Sequence, residues 1–327
     1  MLRFALPLLA LLVPAISTAQ AQDNWPSRAI TIYGGFPSGA GTDIYARKIA
    51  EPLSQALGVP VVVEPRTGAG GNIASELVAK ARPDGYSFLL ATAGTHAINA
   101  ALYRSLTFDP FRDVTHIALL GDVPNVLLVN PVKYPGLATC QDLIAMAKAQ
   151  PGRLNYSSTG NGASTHLAGV QLASAAGLDV VHVPYRGQGP AMAALLAGEV
   201  AFFFNQSGPS IGAVQQGQVR ALAVSTPARL PALPDVPTVA EACGLPGFSS
   251  STWYGLLAPP NLPAPIQARV SQEVIRIISQ PEFRQWLVTS QGITPAEDPS
   301  PAAFRRVHEA DMGRWAEVVR QSGATVD

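Results

Sequence analysis

The feature that most constrains this chain is a loop that recurs in its two halves. The first copy is Phe36-Pro37-Ser38-Gly39-Ala40-Gly41-Thr42-Asp43, between a strand-like run (Ala29 to Tyr33) and a helix-like run (Ile44 to Leu57). The second is Ser157-Ser158-Thr159-Gly160-Asn161-Gly162-Ala163-Ser164, between Leu154-Asn155-Tyr156 and a helix-like run from His166 to Ala176. Each is a glycine- and hydroxyl-rich turn that feeds a helix N-terminus. A helix start carries unpaired backbone N–H groups and roughly half a positive charge. It therefore holds an anion without a basic side chain. Two such turns in separate halves predict a two-jawed trap for a small carboxylate.

Strand and helix patterns alternate on either side of these loops. Tyr45, Ile49, Leu53 and Leu57 share one helical face, and Gly58 with Pro60 ends that run. Val61-Val62-Val63 reads as a strand, Ile73, Leu77 and Val78 as one side of a helix, and Tyr86 to Thr92 as a further strand. A second series starts near Val126. Its strands are Val126–Val129, Leu154–Tyr156, Val180–Val183, Val200–Phe204 and Val219–Val224. Helical runs lie between them, and two more helices follow a Pro-rich stretch: one through Ile266, Val270, Val274 and Ile278, one through Phe304, Val307 and Met312. This order predicts an α/β chain of two parallel-rich lobes. Lobe 1 is expected from residues 22–122 and 225–327, with lobe 2 inserted at 123–224. Ligands of open parallel sheets sit beyond the C-terminal ends of strands, where the Phe36, Gly68, Gly94, Ser157 and Asn205 loops all fall.

The N-terminus reads as a targeting segment. Arg3 precedes an apolar run from Phe4 to Ile16, and Ala19-Gln20-Ala21 is a small-x-small cleavage site. A leader over residues 1–21, export to the periplasm and a soluble mature chain without membrane insertion are expected. Formal net charge is zero, which gives nucleic acid or an anionic surface no electrostatic hold. Cys140 and Cys243 are the two cysteines. They fall in what reads as different lobes, so two separate thiols are expected.

Several longer motifs carry a resemblance. They are Gly35 to Asp43, Gly68-Ala69-Gly70-Gly71-Asn72, Pro83-Asp84-Gly85-Tyr86, Gly94-Thr95-His96-Ala97-Ile98-Asn99 and Leu154 to Gly162. Val183-Pro184-Tyr185-Arg186-Gly187, Leu230 to Thr238 and Trp253 to Pro259 follow in the same order. The chain resembles the extracytoplasmic solute receptors of the tripartite tricarboxylate transporter family, the Bug-type receptors, over essentially the whole mature chain. The resemblance implies a two-lobed periplasmic binding protein (Venus-flytrap) fold, a carboxylate ligand, delivery to a membrane permease, no cofactor and no catalysis; a monomer is expected. It also implies that main-chain amides of the loops Phe36–Asp43 and Ser157–Ser164 hold the ligand carboxylate. An acidic residue common in the family after the Phe202-Phe203-Phe204 strand is replaced here by Asn205, which favours a ligand without an amine.

The expected ligand-binding residues are Phe36, Ser38, Gly39, Ala40, Gly41, Thr42 and Asp43 in the first loop. Thr95 and His96 follow a strand; Ser158, Thr159, Gly160, Asn161, Ser164 and His166 belong to the second loop; Asn205 and Tyr254 complete the set. Some have a structural reading beside the functional one. Asp43 stabilises a first helical turn by itself, and a lone histidine such as His96 is more often structural than catalytic, with ligand contact equally open. Arg186 is open to two readings, an anion contact or a solvated loop residue. Gly68–Gly71 lacks the Lys-Ser/Thr of a P-loop. No Gly-x-Ser-x-Gly elbow or His-Glu-x-x-His occurs, and the five histidines show no metal-like pairing. Two other functions stay open: a sensor for a membrane signalling partner, and an exported hydrolase using Ser38 or Ser158.

Overall fold

The computed structural model describes residues 25–322, 325 and 326, and the expected leader at 1–21 lies outside them. In the first half, β1 (Ile30–Gly34) is flanked by the parallel strands β2 (Val61–Pro65) and β3 (Ser87–Thr92). Helix α1 (Gly41–Leu57) follows β1, and α2 (Asn72–Ala79) follows β2. Tyr45, Ile49, Leu53 and Leu57 are buried on the inner face of α1, as their spacing predicts, and Gly58 ends it in the left-handed conformation. After β3, a π-turn (Gly94–Ile98) leads into α3 (Asn99–Leu102).

One strand then joins the two halves. β4 (Thr115–Val129) pairs antiparallel with β9 (Ser251–Ala258) over its first part and with β7 (Phe202–Gln206) and β8 (Arg220–Val224) over its last. Only its end, Val126–Val129, is legible as a strand in the sequence. Gly121 and Pro124 interrupt the pattern before it, and two register shifts bulge the pairing with β9. Parallel strands β5 (Asn155–Ser158) and β6 (Val181–Pro184) continue from β7. Their helices are α4 (Cys140–Ala149), α5 (Ser164–Ala176), α6 (Gln188–Ala197) and α7 (Ser207–Gln215). The sheet order is β2-β1-β3-β9-β4-β7-β5-β6, with β8 and the short β10 (Thr294–Pro295) pairing β4. Helices α8 (Val239–Cys243), α9 (Ala264–Ile278), α10 (Pro281–Trp286) and α11 (Pro301–Ser322) complete the chain. No helix among the described residues is long and apolar enough to cross a membrane.

Separate apolar cores fill the two lobes. One holds Ile30, Tyr45, Phe88, Ile117, Leu256 and Val270; two others hold Leu127, Tyr156 and Phe202, and Val126, Phe203 and Ile211. Leu230, Leu233, Val239, Cys243 and Phe248 pack in these last two. The expectation of separate thiols is therefore corrected: Cys140 and Cys243 form a disulfide, with Cα atoms 5.2 Å apart. The sequence suggested otherwise because α8 lies far along the chain from α4, and only tertiary packing sets them side by side. The bridge joins residues 103 positions apart, so reduction frees a long loop in the unfolded chain. Replacing both cysteines by serine is expected to lower stability by about 2–4 kcal/mol. Urea midpoints with and without the bridge measure this; a loss under about 1 kcal/mol would count against it.

A small cluster crosses between the lobes. Leu167 of α5 packs with Ala97, Ile98 and Leu102 and with Trp315 and Val319 of α11. Gly162 sits at this seam with φ +76°, and a Cβ there would stand 2.5 Å from Leu102 Cδ2 and 2.6 Å from Asn99 Oδ1. The second loop thus approaches the first lobe closely only because this position is glycine.

Candidate functional site

Between the lobes lies a cleft of two adjoining chambers. The inner one has a cavity volume of about 30 Å³ and the outer one about 440 Å³. Phe36, Pro37, Thr159 and Gly187 line both and form the neck between them. The inner walls come mostly from the C-terminal ends of strands: Ala40 and Thr42 after β1, Thr92 and Gly94 at β3, Ala163 and Ser164 after β5, Gln188 after β6 and Gln206 on β7. That placement is the one expected of an open α/β sheet.

The loops fold as they do because each strand must turn into a helix within a few residues. Ala40 and Ala163, both extended, precede α1 and α5, and neither helix has a side-chain cap. The N–H groups of Gly41, Thr42 and Asp43, and of Ser164 and Thr165, consequently have no acceptor among the described residues. Both helix starts meet at the inner chamber, where Thr42 and Ser164 form part of its wall. The Thr42 hydroxyl is buried and has no hydrogen-bond partner. A buried polar atom left unpaired costs free energy, so this hydroxyl calls for a partner in the chamber. Among the described residues, no charged side chain lines the inner chamber. Its chemistry is a neutral cradle of donors suited to an anion no larger than a carboxylate group.

Opposite α1, an amide network crosses the lobes. Tyr254 Oη on β9 donates to Gln206 Oε1 at 2.8 Å. Gln188 Nε2 donates to Asn205 Oδ1 at 3.1 Å and to Gln206 Oε1 at 3.3 Å. Asn205 Nδ2 and Gln188 Oε1 are buried without partners.

Of the residues expected from the sequence, Phe36, Ala40, Thr42, Thr159 and Ser164 form inner walls, and Gly160 lines the outer chamber. Gly41, Asn205 and Tyr254 stand one layer behind them, in the network across the lobes. Ser38, Gly39 and Asn161 lie on exposed parts of their loops. Asp43 has the structural role: its carboxylate accepts the Gly39 N–H at 2.9 Å and pairs with Arg47. Thr95 exchanges hydrogen bonds with Thr92 inside the first lobe. His96 is fully buried among Phe108 and His308, its Nδ1 2.8 Å from Thr95 Oγ1. His166 accepts the Gly162 N–H through Nδ1 and stacks on His182 at 3.9 Å, behind the loop rather than in the cleft. Burial lowers His166 to about 4. Burial, with His166 adding to it, lowers His182 to about 3.

Gln188, Gln206, Thr92 and Thr252 are wall residues the sequence did not single out. Gln206 is one residue from the expected Asn205, at the point where β7 gives way to α7, and both side-chain oxygens accept from Gln188 Nε2. Ser158 Oγ lies 2.7 Å from His182 Nε2, a spacing like that of a nucleophile and its base. Ser158 is fully buried and also exchanges hydrogen bonds with Gly160 within its own loop.

Comparison with known proteins agrees with this geometry. The family profile described as "Tripartite tricarboxylate transporter family receptor" matches residues 45–324. BugT of Bordetella pertussis is 33% identical over 94% of each chain. A protein of Agrobacterium vitis, described as "UPF0065 protein in the TAR-I ttuE-ttuC' intergenic region", is 36% identical over 93% of this chain and 87% of its own. Among solved structures, R. palustris Rpa4515 with adipate superposes with a TM-score of 0.88, at 34% identity over 93% of this chain and all of its own. MatC from Rhodopseudomonas palustris with bound malate gives 0.84 at 33% identity, over 90% of this chain and all of its own. Periplasmic binding protein BugD gives 0.85 at 31%, over 92% of this chain and 99% of its own. The chain belongs to the tripartite tricarboxylate transporter receptor family, periplasmic solute-binding proteins of two-lobed fold.

Proposed function

We propose that this protein captures a small organic carboxylate between its lobes in the periplasm and hands it to a membrane permease of the tripartite tricarboxylate type. The observation that carries the reading is the inner chamber, where two uncapped helix starts and the unpartnered Thr42 hydroxyl converge without a charged side chain. A carboxylate there receives backbone N–H groups at the positive ends of two dipoles. Such a cradle holds an anion without the desolvated ion pair that a buried lysine would impose, which suits a receptor that must release its cargo. Adipate and malate in the related structures support the ligand class. Export through a leader ending near Ala21 fits a periplasmic receptor. The second lobe is taken to run from about residue 124 to 250, beyond the expected 224, with β4 and the start of β9 as the crossings. Closure is then a hinge motion at those strands.

Thermal unfolding of residues 22–327 against mono-, di- and tricarboxylates, aromatic acids and acidic amino acids tests the reading. A ligand at a hundred times its dissociation constant adds about 2.7 kcal/mol, a shift of a few degrees for a chain of this size. Acids without an amine are expected to shift the midpoint more than their amino-acid counterparts, because Asn205 offers no negative charge to an ammonium group. A folded protein that no acid stabilises would sink the proposal.

A further inference from the structure

We propose that the outer chamber is a second anion subsite with Arg186 as its specificity-determining residue, so that the ligand is an elongated dianion with an apolar middle. This rests on the carboxylate reading of the inner chamber and extends it to the rest of the ligand.

The two volumes set the direction. The inner cavity, at about 30 Å³, is smaller than the outer one, at about 440 Å³, by more than tenfold. The inner one is the place for a carboxylate head. The remainder of a longer ligand has room past the neck, where Phe36 and Pro37 present apolar rings. A methylene chain fits there without loss. A hydroxyl or a branching carboxyl against those rings gives up water without gaining a partner from them, and the Thr159 hydroxyl at the neck is already bonded to Thr165 Oγ1 at 3.0 Å.

Beyond the neck, the chamber of about 440 Å³ is lined by Thr67 and Gly68–Gly71 on one side and by Tyr185 and Arg186 on the other. Among the described residues, Arg186 is the one charged residue lining either chamber. It is exposed and takes part in no ion pair among the described residues. The nearby Glu199 carboxylate is engaged by the Tyr185 hydroxyl at 3.5 Å. A guanidinium offers a planar pair of donors that matches a carboxylate two oxygens at a time. The cleft therefore reads a carboxylate at one end through neutral amides and a second anion at the other through a cation.

Calorimetric titration with straight-chain diacids from succinate to suberate, each beside its own monoamide, tests this. The monoamide keeps the length and one carboxylate and removes only the second charge. At the best length, which is expected to exceed that of succinate, the diacid should bind about tenfold tighter than its monoamide, the effect of one charge-assisted contact. Arg186→Gln should bring that ratio to within about twofold, and Arg186→Lys should restore part of it. Because Arg186 is exposed, both variants should fold, and far-ultraviolet circular dichroism checks that they do. A ratio near one in the unaltered protein, or a tenfold ratio surviving in Arg186→Gln, would overturn the inference. If single-charge acids bind and the second charge adds nothing, only this inference fails. If no acid binds in either form, the receptor reading fails and takes this one with it.

Discussion

Gly41→Ala is expected to weaken binding of the tightest acid by roughly five- to 150-fold, the range of a lost buried hydrogen bond worth about 1–3 kcal/mol. The cause is a close approach at the first turn of α1. A Cβ on Gly41 would stand 2.7 Å from Tyr254 Oη and 2.9 Å from Gln206 Oε1. Those two atoms bond each other across the lobes at 2.8 Å. Tyr254 cannot retreat, since it is buried edge-on against Tyr45 with ring centres 5.9 Å apart. Gln206 must move instead, and with it the amide of Gln188 that lines the inner chamber. The methyl therefore acts against the closed arrangement of the lobes more than against either lobe alone. The ligand-free melting temperature should fall by only a few degrees, while calorimetry records the lost affinity. Binding within twofold of the unaltered protein would show that this contact does not govern closure.

Acidification is expected to remove about 4–6 kcal/mol of stability between pH 7 and pH 5, a large share of the usual total. All five histidines have folded values held below the ordinary 6.5. Burial is the first cause each time. His116 and His182 lie at about 3 and His166 at about 4. His96, His116 and His308 form one buried group: His116 Nε2 lies 3.0 Å from His308 Nδ1, and His308 Nε2 lies 3.0 Å from the His96 carbonyl oxygen. A charge on one therefore opposes a charge on the next. With the folded values depressed, the unfolded chain takes up protons first as pH falls. The stabilisation is complete above about pH 6.5 and is lost as pH falls toward 3–4. A fully neutral buried histidine would lose about 2 kcal/mol over this interval. His116 and His166 supply about 4 kcal/mol between them, the half-buried His182 adds less, His96 and His308 act in the same direction, and Asp122 acts in the opposite sense. Burial raises Asp122 to about 6, so the folded state binds its proton first and gains as pH falls through that range. Urea unfolding at pH 7, 6 and 5 measures the balance. A loss below about 1 kcal/mol by pH 5 would mean that these rings are not held neutral by burial.

Much of the first lobe was legible because its signals are local. The four-residue spacing of Tyr45, Ile49, Leu53 and Leu57 fixes the inner face of α1, and Gly58 fixes its end. The hydroxyl- and glycine-rich turns before α1 and α5 mark where donors are left free, since chain geometry alone leaves the first N–H groups of a helix without acceptors. Phe36, Ala40, Thr42, Thr159 and Ser164 of these turns line the inner chamber. His96 and His166 lie outside the chamber walls, and a histidine after a strand or at a helix start looks the same in sequence whether it faces the cleft or the core. Only the packing of His308 against one and His182 against the other separates the two cases.

Sequence by itself determined the alternation of elements, the two anion-ready helix starts and the lack of a basic residue in the two loops that feed α1 and α5. Each depends on residues within a turn or two of one another, where periodicity and backbone geometry act directly. The tertiary structure alone decided the rest. It ran β4 unbroken through both sheets and closed the Cys140–Cys243 bridge between distant helices. It also brought Gln188, Gln206 and Tyr254 together across the cleft and set Arg186 alone at the outer chamber. These contacts join positions far apart in the chain. Their partners are chosen by which surfaces the sheet order and the two cores bring together, and no local pattern encodes that choice.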